Sequence, residues 1–114
     1  MLTIEIEPLP RCALVKVAGD VDHDTAPELE QRLLAEIEAG NTNLVINGRD
    51  LTYISSAGLR ALMSAQMRAR RCEPRGKIVF SELSKRVEKT FQMVGFHELF
   101  ELYPADAAAA GSFE

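Results

Sequence analysis

The chain has 114 residues, 46% of them hydrophobic and 26% charged, the balance of an ordinary globular protein with one core. Its net charge of −4 argues against a general nucleic-acid binder, which needs a basic face. No apolar run approaches the ~20 residues that span a bilayer, and Glu5 and Glu7 stand where a signal peptide needs basic residues. The expectation is therefore one domain over residues 1–114, cytoplasmic, with no direct membrane insertion.

Leu2, Ile4 and Ile6 alternate with Thr3, Glu5 and Glu7, the period of a half-exposed strand, which Pro8 and Pro10 end. Cys12 to Ala18 alternates again through Leu14 and Val17, and Gly19 reads as its stop. The pair predicts an antiparallel hairpin. Cys12 and Cys72 stand far apart with no CxxC spacing and read as reduced packing thiols.

Thr25 followed by Glu28 predicts a capping box, with Pro27 tolerated in the first helical turn. Leu29, Leu33 and Ile37 recur at helical spacing and Gly40 closes that helix. Leu44-Val45-Ile46 is an unbroken apolar run, the pattern of a strand covered on both faces.

A second helix starts near Ser56 and runs to about Cys72, with Leu59, Leu62 and Met63 inward. Ala57, Ala61, Ala65 and Ala69 recur every fourth residue on it, a pattern that permits close packing. Arg68, Arg70 and Arg71 in its last turn suit the helix dipole. These arginines, with Arg75, read as a solvated helix end; a salt-sensitive contact to an acidic partner is the less favoured alternative.

Lys77-Ile78-Val79-Phe80 predicts a buried strand, and Ser84 caps a third helix with Val87, Phe91 and Val94 inward and Gly95 as its stop. Phe100 to Tyr103 reads as a last short strand and Ala105 to Ala110 as a terminal helix. The order is ββαβαβαβ with a final α. Helices between strands imply right-handed crossovers and local parallel pairing.

The chemistry concentrates in Leu51-Thr52-Tyr53-Ile54-Ser55-Ser56-Ala57-Gly58-Leu59-Arg60, where an apolar run gives way to a helix. A serine at a helix start has two readings. It caps the first-turn N–H groups, or it carries a phosphate beside them. Ser55, Ser56 and Gly58 make a cluster of small residues that lets another backbone or a phosphate approach.

Catalysis has little to recommend it. The stretch is not G-x-S-x-G, and only His23 and His97 are available as bases, so nothing specifies a triad. Asp20, Asp22 and Asp24 lack the later glycine and bidentate glutamate of a calcium loop. Neither histidine has a companion at metal-ligand spacing. No metal, cofactor or enzyme activity is expected.

Three segments give the chain a family resemblance. Gly19-Asp20-Val21-Asp22 with Thr25-Ala26, Leu51 to Leu59, and Phe91-Gln92-Met93-Val94-Gly95-Phe96 together resemble the STAS domain of bacterial anti-sigma factor antagonists. The middle segment resembles V-x-[FY]-[IM]-D-S-[SA]-G-[LI] and is the specific one. The resemblance implies an α/β STAS fold: a small mixed sheet of about five strands with about four helices, mostly on one side. It implies that the unphosphorylated form binds an anti-sigma factor that is also a serine protein kinase, so that sigma factor is released. Phosphorylation at the position of Ser56 then ends binding, and a serine phosphatase resets the switch.

On that resemblance the partner-binding residues are Asp20, Asp22, Thr25, Ser55, Ser56, Ala57, Gly58 and Leu59, with Asp22 near Ser56. The free protein is expected to be a monomer. Two departures stand out. Ser55 replaces a frequent aspartate and becomes a second-choice acceptor, and Asn47-Gly48 replaces a frequent acidic–apolar pair. The alternative function is a non-switching STAS subunit of a membrane lipid or anion transport complex.

Overall fold

In the computed structural model, which describes residues 1–113, the alternating N-terminal segments form a hairpin. β1 (Leu2–Pro8) pairs antiparallel with β2 (Ala13–Val21) from Leu2 opposite Gly19 to Pro8 opposite Ala13. The chain continues through α1 (Ala26–Glu38), β3 (Asn43–Asn47), β4 (Leu51–Ile54), α2 (Ser56–Arg70), β5 (Lys77–Ser81), α3 (Lys85–Met93), a 3-10 turn at Phe96–Glu98, β6 (Leu102–Tyr103) and α4 (Asp106–Gly111). Strands β1-β2-β3-β5-β6 lie side by side in that order, and β4 pairs with β2 off this path. Every pairing after the first hairpin is parallel, as crossover helices require.

Strand alternation divides the interior in two. Val15, Val17, Leu44, Ile46, Ile78 and Phe80 point to the face covered by α1, α2 and α3, which supply Leu29, Leu33, Leu62, Ala65 and Phe91. Leu14, Val45 and Val79 point the other way and meet Ala109 of α4, with Cys12 and Tyr103 at the edge. The Ala61, Ala65 and Ala69 stripe of α2 is buried, as its four-residue spacing predicts. Both cysteines are free and half-buried.

The larger core is anchored by aromatic rings. Phe80 meets Phe91 at 5.0 Å and Phe100 at 5.1 Å, both edge-on, the geometry that the ring quadrupole favours. On the opposite face Asn47 donates to Asp106 Oδ1 at 2.8 Å and to Glu82 Oε2 at 3.1 Å, while Ser81 also donates to Asp106. The unusual Asn47 thus ties the start of α4 to the sheet.

Several boundaries differ from the sequence reading. The sheet has six strands, not about five, because Leu51–Ile54 forms a strand of its own. Gly19 does not stop β2: the strand passes through it with a register shift and runs on to Val21, since β4 is there to pair with it. The last strand is only Leu102–Tyr103, and Phe100 turns into the core instead. The second helix ends at Arg70. Val94 caps the C-terminus of α3 and is 50% exposed, because it falls beyond the last full turn of the inward stripe.

Truncating Phe91, which is fully buried and touches three other rings, removes the central member of this cluster. Phe91→Ala should lower the unfolding free energy by about 3–5 kcal/mol in urea titration, with the denaturant slope unchanged.

Candidate functional site

The site is built where β2 runs past its bulge. At Gly19 the backbone has a φ of +105°, and a Cβ there would lie 2.2 Å from the Met1 carbonyl oxygen, so only glycine fits. The Gly19 N–H donates to the Asp50 carbonyl at 3.0 Å, and the strand resumes with Asp20 opposite Tyr53 and Val21 opposite Ile54. The next residue after β4, Ser55, continues the ladder: its N–H donates to the Val21 carbonyl at 2.8 Å. The acidic loop leaves β2 at the point where α2 begins, so two segments more than thirty residues apart in sequence become neighbours.

Ser55, not Ser56, caps the helix. Its backbone is extended (φ −87°, ψ 174°), and its Oγ accepts from the Gly58 N–H at 3.2 Å. Ser56 is the first helical residue; it is exposed, and its hydroxyl makes no hydrogen bond among the described residues. The first turn of α2 carries no acidic residue, so the positive end of the helix dipole is uncompensated there.

Gly58 seats that turn against the sheet. A Cβ on it would stand 2.6 Å from Val21 Cγ1 and 2.7 Å from Ile54 Cγ1. Leu59 is buried beside it and Ala57 is half-buried. Of the residues expected to meet a partner, Gly58 and Leu59 therefore set the height of the surface, while Ser56 stands on it.

The loop before α1 is closed by Asp22. Its Oδ1 accepts from the Asp24 N–H at 2.9 Å and the Thr25 N–H at 2.9 Å, and the Thr25 hydroxyl lies 3.1 Å away. The Thr25 hydroxyl also donates to the Asp20 carbonyl at 2.8 Å and accepts from the Asp22 N–H at 2.9 Å. The predicted capping box is absent: Thr25 makes no side-chain cap bond to α1, because its hydroxyl is turned back into the loop. Asp20 accepts from the Thr52 hydroxyl, a second clasp between the loop and β4. Asp22 directly follows Val21, whose carbonyl accepts from the Ser55 N–H, and its Oδ1 is committed to its own loop.

The Thr25 N–H beside Asp22 is the main reason its carboxyl is held below the usual carboxylate value, with the Thr25 hydroxyl and Asp24 N–H adding to it. Thr52 and the 47%-exposed Tyr53 complete the rim, and sequence reading did not single them out. A four-residue strand with two exposed residues in its middle gives no period to read.

Among the described residues no cluster of three His, Cys, Asp or Glu side chains could hold a metal. No helix among them is long and apolar enough to cross a membrane. A bulged strand end, a clasped acidic loop and an exposed serine on a bare helix start define an α/β domain with a helix N-terminus open to solvent.

The STAS family described as "Mlab, STAS domain" matches residues 5–102. The chain belongs to the STAS-domain family. It is 33% identical over 96 residues to a Bordetella bronchiseptica protein described as "Putative anti-sigma factor antagonist BtrV", covering 84% of this chain and 81% of that one. An anti-sigma factor antagonist from Mycobacterium paratuberculosis superposes with a TM-score of 0.87 at 23% identity, covering 99% of this chain and 94% of that one. The phosphorylated form of the Bacillus cell fate determinant SpoIIAA superposes with a TM-score of 0.74 at 17% identity, covering 98% and 100%. At these identities the two structures share the fold.

Two outcomes follow from the geometry. Gly58→Ala should lower the melting temperature and lose about 1–3 kcal/mol to overpacking, partly offset by better helix propensity. Asp22 has a lowered pKa in the folded state, so its contribution is present above its unfolded value of 3.8 and lost as pH falls through the folded value. The stability difference between wild type and Asp22→Asn should therefore be largest near neutral pH and shrink below about pH 4, measured by urea unfolding across pH.

Proposed function

We propose that this protein is an anti-sigma factor antagonist working as a phosphorylation-controlled partner switch, with Ser56 as the acceptor. The observation that carries the reading is the division of labour in the serine pair. The Ser55 hydroxyl is engaged as the cap, and the Ser56 hydroxyl is exposed and uncommitted. The unphosphorylated form binds an anti-sigma factor that is also a serine protein kinase, and the sigma factor is released. The kinase phosphorylates Ser56, the complex separates, and a serine phosphatase restores the acceptor. The chain is then substrate and regulator, not enzyme, and acts in the cytoplasm as a single domain over residues 1–114, monomeric when free.

Electrostatics supports both halves of the cycle. Phosphate adds about −1.5 to −2 charge at neutral pH. The first turn of α2 has no carboxylate to repel it, and free N–H groups and the dipole favour it, so the domain stays folded. A partner packed onto Ser56 buries the dianion, and burying such a charge unpaired costs several kcal/mol. The names of the relatives, and a structural neighbour known in a phosphorylated form, agree with this reading.

A second reading is favoured by the family description, which names an Mlab STAS domain: a non-switching subunit of a membrane lipid or anion transport complex. Baits carrying Ser56→Ala and Ser56→Asp, used against lysate of the source organism and read by mass spectrometry, separate the two. The switch predicts that the alanine bait recovers a serine kinase and the aspartate bait loses it by about tenfold or more. Recovery of the same transporter or ATPase subunits by both baits contradicts it. Ser56→Asp should also leave the unfolding free energy within about 0.5 kcal/mol of wild type.

A further inference from the structure

Beyond the serine, α2 carries a second feature. Ser56, Arg60, Met63, Met67 and Arg71 follow one another at steps of three or four residues and so lie along one stripe of the helix. Past the first turn the stripe opens into a groove of about 500 Å³ against α1, with Leu34, Met63 and Met67 among its apolar lining. Arg60, Arg68 and Arg71 rim it. Met67 is 45% exposed, an apolar side chain left in water.

The rim is positive on a molecule whose net charge is −4. Arg68 lies 3.8 Å from Glu38, both strongly exposed, a contact of little strength. Arg60 and Arg71 make no ion pair among the described residues. The groove's other polar group, Ser64, is already used, donating to Glu30 Oε2 at 3.1 Å.

We propose that this groove docks an acidic amphipathic helix of the anti-sigma partner, its apolar face on Leu34, Met63 and Met67 and its carboxylates on Arg60 and Arg71. The identity of the partner rests on the function proposed above; the chemistry of the groove does not. From Arg60 to Arg71 the helix rises about 16 Å, the length of a three-turn segment, and a cleft between two helices is shaped for a third. Methionines give such a surface adaptable apolar contact. The apolar floor of Leu34, Met63 and Met67 disfavours nucleic acid, whose phosphate backbone would use only the arginines. Continuity with Ser56 gives the groove a role in the switch: it holds the partner by contacts that phosphate does not touch, so that one modified side chain at the end of the stripe sets the balance.

The test uses the full chain labelled with 15N and a stapled helical peptide of about four turns, leucine on one face and glutamate on its flanks. A lysine-flanked peptide of the same shape is the control. The glutamate peptide should shift the amides of Arg60, Met63, Met67 and Arg71, more weakly at high salt, and the lysine peptide should not. Arg60→Glu with Arg71→Glu, both exposed positions, should weaken binding by roughly tenfold or more. No shift in the groove, equal binding of both peptides, or binding indifferent to the charge reversal overturns the proposal. Stronger shifts of the same amides by a DNA duplex or by phosphatidylglycerol vesicles also overturn it, by changing the class of partner. The peptide brings no kinase and Ser56 stays unmodified, so this result stands or falls apart from the Ser56 bait experiment.

Discussion

The two residues of β2 beyond the bulge, paired with β4, hold the candidate site together. Asp20 and Val21 lie opposite Tyr53 and Ile54, and the Ser55 N–H closes the ladder on the Val21 carbonyl at 2.8 Å. This short parallel pairing brings the acidic loop and the start of α2 into one place. It depends on glycine twice: at Gly19, where the strand passes under the Met1 carbonyl, and at Gly58, where the helix rests on Val21 and Ile54 without a Cβ between. Backbone geometry sets the frame of the site, and its polar side chains divide between bracing that frame and facing solvent.

That division is uneven. Asp22 and Thr25 spend their hydrogen bonds on the loop, Asp20 accepts from Thr52 of β4, and the Ser55 hydroxyl accepts from the Gly58 N–H. Ser56 alone of the pair faces solvent uncommitted, on a helix start with no nearby first-turn carboxylate. A charge placed there meets favourable dipoles from its own helix and unfavourable ones from any partner that has excluded water. On the proposed function, one modification leaves the fold intact and changes what it binds.

Much of this was legible in the sequence because the signals were long. The alternation of Leu2, Ile4 and Ile6, the Leu29-Leu33-Ile37 stripe and the alanine stripe of α2 each repeat over several turns or pleats. The motif around Ser56 and its place at a helix start were also readable. What escaped was decided by tertiary contact. β4 is four residues long and exists because the end of β2 offers it backbone partners. Gly19 reads as a strand stop until β4 is known. Thr25 and Glu28 match a capping box, but the Thr25 hydroxyl oxygen accepts from the Asp22 N–H instead of a helix N–H, and its proton is held by the Asp20 carbonyl. Which serine caps could not be read from two adjacent serines; the Val21 carbonyl chooses Ser55 by fixing its backbone extended.

The central claim is that Ser55 holds the helix and Ser56 carries the signal. Trypsin cleavage after Arg49 and Arg60 releases both serines on one peptide, Asp50 to Arg60. Fragmentation of that peptide, from protein isolated from its own cells, locates the phosphate directly. Phosphate on Ser56, with Ser55 unmodified, is the predicted result. Phosphate on Ser55, or none on either serine under conditions that activate and silence the partner kinase, contradicts it.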